Sequence, residues 1–220
     1  MGDDGGVEST DRARRFFSRF YASMSARMDD EGMGELRAEL LGPLSGAVVE
    51  IGAGNGRNFA RYPAAVEAVT AVEPEPRLRR LATDAAVTSA VTVTVVPGVA
   101  ERLPLPDGCA DAVVLCLVMC SLPDRAAALA EVRRVLRPGG VARFLQHTIA
   151  ETPGLRAVQR LADATVWPLL TGGCHTATDP VDLLREAGFA IEECRRLRFP
   201  DARFTQPSTP HVLGTARAPA

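Results

Sequence analysis

There is no lysine in this chain; all 25 of its Lys/Arg positions are arginine. That absence removes lysine Schiff-base chemistry and points to a GC-rich coding bias. A strong charge of either sign is also missing. The net value is −2, so no global basic field draws a nucleic acid. No apolar run approaches the roughly 18 residues of a membrane span, and the opening Met-Gly-Asp-Asp-Gly-Gly lacks the charged and apolar regions of a signal peptide. Cysteine is sparse and odd in number. The five residues are irregularly spaced, mostly within apolar runs, and read as reduced thiols. These absences predict a cytoplasmic protein with no nucleic-acid partner and no membrane contact; they leave its oligomeric state open. What is present is ordinary: 46% hydrophobic and 24% charged over 220 residues, enough for one α/β domain with a sizeable core.

The informative stretch is 47–58, Ala-Val-Val-Glu-Ile-Gly-Ala-Gly-Asn-Gly-Arg-Asn. Its β-branched run reads as a buried strand that breaks into Gly52, Gly54 and Gly56 before a helix start. Glycines at such a corner admit unusual φ values and bring bare backbone N–H groups close to a ligand. A dinucleotide site would show G-x-G-x-x-G facing a pyrophosphate. Here the spacing is G-x-G-x-G, and Glu50 stands two residues ahead of the first glycine. A carboxylate there repels a pyrophosphate and suits an ammonium group, which disfavours a nicotinamide-dependent reductase. S-adenosyl-L-methionine, with an α-amino group, a sulfonium and no phosphate, matches the charge pattern. Glu73-Pro74 ends the next apolar run, about 20 residues on, where an acid accepts ribose hydroxyls.

Along the chain, 1–10 is expected as a disordered tail and 11–220 as a single domain. Residues 11–28 carry Phe16, Phe17, Phe20, Tyr21, Met24 and Met28 at helical spacing. The segment 11–41 is expected to form a lid, with Phe20 and Tyr21 toward the substrate; core packing and a membrane-surface helix are the competing readings. Strands are expected over 48–51, 66–72, 90–96, 111–116, 141–145, 189–199 and 211–216, and helices over 57–62, 76–86, 124–136, 153–171 and 180–187. His147 falls at the end of the fifth strand, where open α/β sheets gather ligands. An imidazole there either takes a proton near pH 7 or serves as a hydrogen-bonded wall. The insertion 150–178, with Trp167, is expected to shape the substrate pocket. No metal site is expected, because neither Cys116 nor Cys120 has a neighbouring His/Cys pair to complete four ligands.

Glu50-Ile-Gly-Ala-Gly-Asn-Gly resembles the first motif of the class I S-adenosylmethionine-dependent methyltransferases. Gly98-Val-Ala-Glu-Arg-Leu-Pro is similar to the family's adenine segment, with Val99 in the usual Asp place, and Leu136-Arg-Pro-Gly-Gly precedes the fifth strand as is frequent there. Residues 56–63, 117–121, 144–147, Trp167, Cys174 and 210–212 extend the resemblance to the thiol S-methyltransferase branch. The resemblance implies a Rossmann-like sheet of seven mostly parallel strands, the last antiparallel, with helices on both faces. It implies methyl transfer from S-adenosyl-L-methionine, leaving S-adenosyl-L-homocysteine, to a small-molecule substrate, an often lipophilic thiol. Glu50, Gly52, Ala53, Gly54, Asn55, Gly56 and Asn58 would hold the amino-acid part and Glu73 with Pro74 the ribose. Ala100 and Glu101 would hold the adenine, with Cys116 beside the methionine. Met119, Cys120, His147 and Trp167 would face the acceptor. O-, N- or C-methylation of a quinone or natural-product metabolite is the alternative within enzymes. A non-catalytic cofactor-binding scaffold is the alternative outside them.

Overall fold

The sheet grows outward from two apolar strands, β1 (Gly46–Ile51) and β4 (Ala110–Cys116). The computed structural model describes residue 18 and residues 20–165, 167–201 and 205–219; the expected tail and most of 11–19, Phe16 and Phe17 included, lie outside them. The remaining strands are β2 (Val66–Val72), β3 (Thr92–Val96), β5 (Leu136–His147), β6 (Ala190–Arg198) and β7 (Pro210–Arg217). Their order is β3-β2-β1-β4-β5-β7-β6, with β7 antiparallel to both β5 and β6 and every other pairing parallel. Parallel strands need cover on both faces, and alternation supplies it. Val49, Ile51, Val113 and Leu115 pack with Leu129, Val132 and Leu184 of the helices Arg125–Val135 and Pro180–Glu186. Val48, Val114, Cys116 and Leu145 pack on the other face with Met33, Leu40, Leu41 and Phe59. The expected α/β fold with seven mostly parallel strands is therefore observed.

The N-terminal helices are fastened to that second face by a buried cation. Residues 20–28 are helical, a π turn covers Asp29–Met33 and the helix Gly34–Leu41 follows. Its last carbonyls would be orphaned by the end of the helix. Arg143 of β5, 4% exposed, donates to Leu40 O at 2.9 Å and Glu39 O at 3.0 Å, and also to Thr215 Oγ1. Burial lowers the Arg143 pKa, yet a cation at a helix C-terminus is well placed. On the outer edge, β6 is largely exposed and carries Glu192, Glu193, Arg195, Arg196 and Arg198. Charges of that density discourage pairing with a further strand. Among the described residues no helix is long and apolar enough to cross a membrane.

Three expected elements differ. The helix expected over 57–62 is one 3-10 turn, Phe59–Arg61, because Gly56 adopts φ 78° and Tyr62 turns extended ahead of Pro63. The helix expected over 153–171 divides into Pro153–Asp163 and Trp167–Leu170. Asp163 ends the first piece by accepting the N–H groups of Thr176 and Ala177, both at 2.8 Å. The fifth strand starts earlier than expected. Leu136 pairs with Ala110 and Val141 with Ala112, and the residues between them loop out. Gly214 of β7 lies opposite Phe144 and Cys194. A Cβ there would fall 2.6 Å from the Phe144 ring and overlap the Glu193 carbonyl. Gly214→Ala is therefore expected to lower the unfolding free energy by about 1–3 kcal/mol, the cost of overpacking, measured by denaturant titration. An unchanged midpoint would show that this corner has room.

Candidate active site

Strand order reverses between β1 and β4, so the crevice lies beyond their C-terminal ends. Gly52 and Gly54 leave β1 with φ 68° and 58°. Gly52 N and Ala53 N donate to Val72 O, and Gly54 N donates to Glu73 Oε2 at 2.8 Å. β4 leaves through Leu117, whose φ of 55° makes it the non-glycine exception among the described positive-φ residues. Such a conformation costs on the order of 1 kcal/mol in a branched residue and gathers at functional sites.

Beneath the loop runs a buried polar chain. Glu50 accepts from Asn58 Nδ2 at 2.8 Å and from the Tyr62 hydroxyl at 2.6 Å. Arg37 Nη1 donates to Asn58 Oδ1 at 3.0 Å and lies 3.1 Å from Cys116 Sγ, while its Nε donates to Asp29 Oδ1 at 3.0 Å. Arg57 and Arg61 approach the same Asp29 carboxylate at 3.9 and 3.3 Å. Burial pushes the Glu50 carboxyl up to about 7 against the opposing pull of its two donors and of Arg37. Glu73, also buried, is likewise pushed up to about 7. Its other oxygen accepts from Glu75 N at 2.9 Å.

The helix over 20–28 lies on the glycine loop. A Cβ on Gly54 would come 3.0 Å from the Tyr21 ring. Ser25 Oγ and the Asn55 side chain form hydrogen bonds at 3.0 and 3.3 Å. Phe20, expected beside Tyr21 in the pocket, is 55% exposed. Consecutive helical residues point about 100° apart, so only one of the pair meets the loop. Beyond β3, Ala100 is buried and Glu101 is half-buried, accepting from Asp124 N at 3.4 Å. Val99 faces outward, and Pro97, Gly98, Val99, Arg102, Leu103 and Pro104 line a pocket of about 580 Å³.

The acceptor end departs further from expectation. Met119 begins the 3-10 turn Met119–Ser121 and packs in the core at 1% exposure. Trp167 is half-buried, and its Nε1 has no partner among the described residues. His147 Nδ1 lies 2.9 Å from Ser208 O, and burial pushes its pKa down to about 4. Of the two expected readings of His147, this lowered value favours the hydrogen-bonded wall over proton uptake near pH 7. One ligand-type atom each from Cys120, His147 and Cys174 falls within 4.8 Å of the others. The grouping is drawn from distant sequence, counts three ligands rather than four and does not include Cys116. The His211 ring lies tilted against that of His147, with ring centroids 4.4 Å apart.

Residues 49–144 match the family model described as a methyltransferase domain. The chain is 35% identical over 176 residues to the thiol S-methyltransferase TMT1B of Homo sapiens, covering 77% of this chain and 70% of that protein. This chain belongs to the class I S-adenosylmethionine-dependent methyltransferases. It is also 42% identical over 111 residues to the ubiquinone/menaquinone biosynthesis C-methyltransferase UbiE of Caulobacter sp., covering 50% of this chain and 41% of that one. A putative methyltransferase from Bacillus halodurans shares the fold, with TM-score 0.68 at 20% identity over 84% of this chain and 99% of that one. The cofactor of this methyltransferase is S-adenosyl-L-methionine.

Sequence reasoning missed Arg37, Asp29, Tyr62 and Ser25, which the methyltransferase brings to the loop. A usable signal was a lone Arg37 set among the apolar residues Met33, Leu40 and Leu41. The raised Glu50 pKa has a consequence for stability. An unfolded chain releases this proton near 4.5, whereas the folded chain holds it to about 7. Between those values the folded state carries the extra proton, so Glu50 contributes fully below pH 4.5 and its contribution is lost as pH rises through 7. Relative to Glu50→Gln, the cofactor-free wild type is expected to lose on the order of 3 kcal/mol across that window. Paired thermal or urea unfolding curves at several pH values measure it; a pH-independent difference would remove the buried-proton account.

Proposed function

We propose that this methyltransferase acts on a small thiol. The observation that carries the reading is the cluster of Cys120, Cys174 and His147, which no carboxylate joins among the described residues. An amine acceptor calls for a nearby carboxylate and a phenol for a strong base. A thiol, with pKa about 8.5, is already partly ionised and needs neither. The likeness to a thiol S-methyltransferase over most of the chain supports the same choice. The match to a quinone C-methyltransferase covers half of the chain and keeps the quinone reading as the alternative.

The residues present fit the cofactor. The glycines leave a cradle that a Cβ on Gly54 would fill toward Tyr21. Glu73 has accepted one hydrogen bond on each oxygen, and a carboxylate oxygen retains a further lone pair for a ribose hydroxyl. When bound, S-adenosyl-L-methionine supplies an electrophilic methyl group on a sulfonium. Gly52 to Gly56 would hold the amino-acid end, and Ala100 with Glu101 the adenine. Each oxygen of Glu50 has accepted one hydrogen bond, from Asn58 and from Tyr62, which fixes it beneath the loop and leaves a lone pair on each oxygen for the cofactor's ammonium group. Tyr21 and Ser25 would make the helix over 20–28 a cover that excludes water and must reseat as ligands pass. The protein thereby supplies near-attack geometry for an in-line displacement.

Incubation with methyl-labelled cofactor and parallel panels of thiols, phenols, quinols and amines tests the acceptor. Thiols are expected to exceed the other classes in kcat/KM by roughly tenfold or more, a difference of about 1.4 kcal/mol. Turnover confined to phenols or quinols would overturn the thiol reading. Glu73→Ala is expected to weaken S-adenosyl-L-homocysteine binding by roughly 10- to 100-fold, as loss of hydrogen bonds to a charged group would. Calorimetry reads the affinity, with circular dichroism to verify folding, and undiminished affinity would take Glu73 out of the cofactor site.

A further inference from the structure

We infer that Cys120, Cys174 and His147 form a three-ligand zinc site whose fourth position is open to the acceptor thiol. The metal site stands on the cluster alone, while the thiol as fourth ligand rests on the reading proposed above. The three side chains come from separate elements: the 3-10 turn after β4, the loop before the helix Pro180–Glu186, and the end of β5. Their ligand atoms lie within 4.8 Å of one another. Zn–S bonds of about 2.3 Å and Zn–N bonds of about 2.0–2.1 Å place ligand atoms of a tetrahedral ion roughly 3.5–3.8 Å apart, so a small contraction closes the site.

The surroundings hold the three ligands in place. Cys120 O accepts from His175 N at 2.9 Å and from Arg125 Nη2 at 3.2 Å, which stitches the loop bearing Cys174 to the turn bearing Cys120. His175 Nδ1 is 2.8 Å from Gly173 O, and Gly173 N donates to Pro168 O at 2.7 Å. His147 places Nδ1 against Ser208 O. A proton on that nitrogen leaves the lone pair on Nε2, the arrangement that metal-ligating histidines adopt. Cys120 and Cys174 are 4% and 7% exposed, so the sulfurs are sheltered from solvent. A second buried imidazole lies beside the first. His211 is 1% exposed, its ring contacts that of His147, and its Nε2 has no partner among the described residues. It is an acceptor awaiting a donor beside the cluster.

Two sulfurs and one imidazole select a soft or borderline cation over magnesium or calcium. Three protein ligands leave one position free, the pattern of catalytic rather than structural zinc. A thiol entering that position loses its proton to solvent and binds as thiolate. The thiolate sulfur then forms a bond to the methyl carbon as that carbon's bond to the cofactor sulfur breaks, the electron pair remaining on the cofactor sulfur. The acceptor leaves as a neutral thioether, a weaker ligand than the thiolate it replaced. No side-chain base is required.

Titration of metal-free full-length protein with cobalt(II) tests the site. The expected result is a stoichiometric near-ultraviolet thiolate-to-cobalt band, lost in Cys120→Ser and Cys174→Ser but kept in Cys194→Ser, whose cysteine is exposed on β6. Zinc analysis of the wild type purified without chelator is expected to find the metal in near-stoichiometric amount, which guards against variants that misfold. A small thiol added to the cobalt form should shift the visible bands. Absence of the band in folded wild type, or a Cys120–Cys174 disulfide under reducing conditions, would overturn the metal site. A band that thiols leave unmoved would overturn the thiol as fourth ligand even if thiols are turned over. A band with turnover of phenols alone would overturn both the thiol reading and the fourth ligand, leaving the metal site standing.

Discussion

The cofactor loop depends on a chain of buried hydrogen bonds that joins three parts of the molecule. Arg37 from the N-terminal helices, Asn58 from the segment after the glycines and Glu50 from β1 meet in a space closed to solvent. Low local dielectric strengthens each contact and makes any broken member costly. Without this chain the glycine loop would rest on its bonds to Val72 and Glu73 and on the Ser25–Asn55 contact. With it, loop geometry, helix docking and the end of β4 at Cys116 are set together.

Local and periodic features were legible in the sequence. The strand that breaks at Gly52, the acid at Glu73 and His147 at a strand end follow from alternation and from residues adjacent in the chain. Features that depend on distant residues were not. Arg37 reaches Asn58 and Cys116 across long separations, and its place among Met33, Leu40 and Leu41 hints at burial without naming those partners. Cys120, His147 and Cys174 assemble only once β4, β5 and the insertion are in place. Helix facing was partly legible: the apolar spacing over 20–28 was real, but it did not decide that Tyr21 turns inward and Phe20 outward. Nor did the sequence decide that Met119 packs in the core.

Chemistry is divided along the sheet. The β1–β2 side presents backbone and carboxylates, suited to a polar cofactor. The β4–β5 side presents sulfur and imidazole, suited to a soft acceptor. A C-methyltransferase matches half of this chain, whereas a thiol S-methyltransferase matches most of it. A fold of this kind keeps one site while the other varies.

The outer edge of the sheet bears on how the molecule keeps company with its own kind. β6 offers its free backbone edge amid Arg195, Arg196 and Arg198, and Arg195 and Arg196 are engaged by Glu39 and Asp179. A second copy adding its own β6 would have to desolvate those pairs. Fibre-like stacking through sheet extension is thereby opposed at this edge.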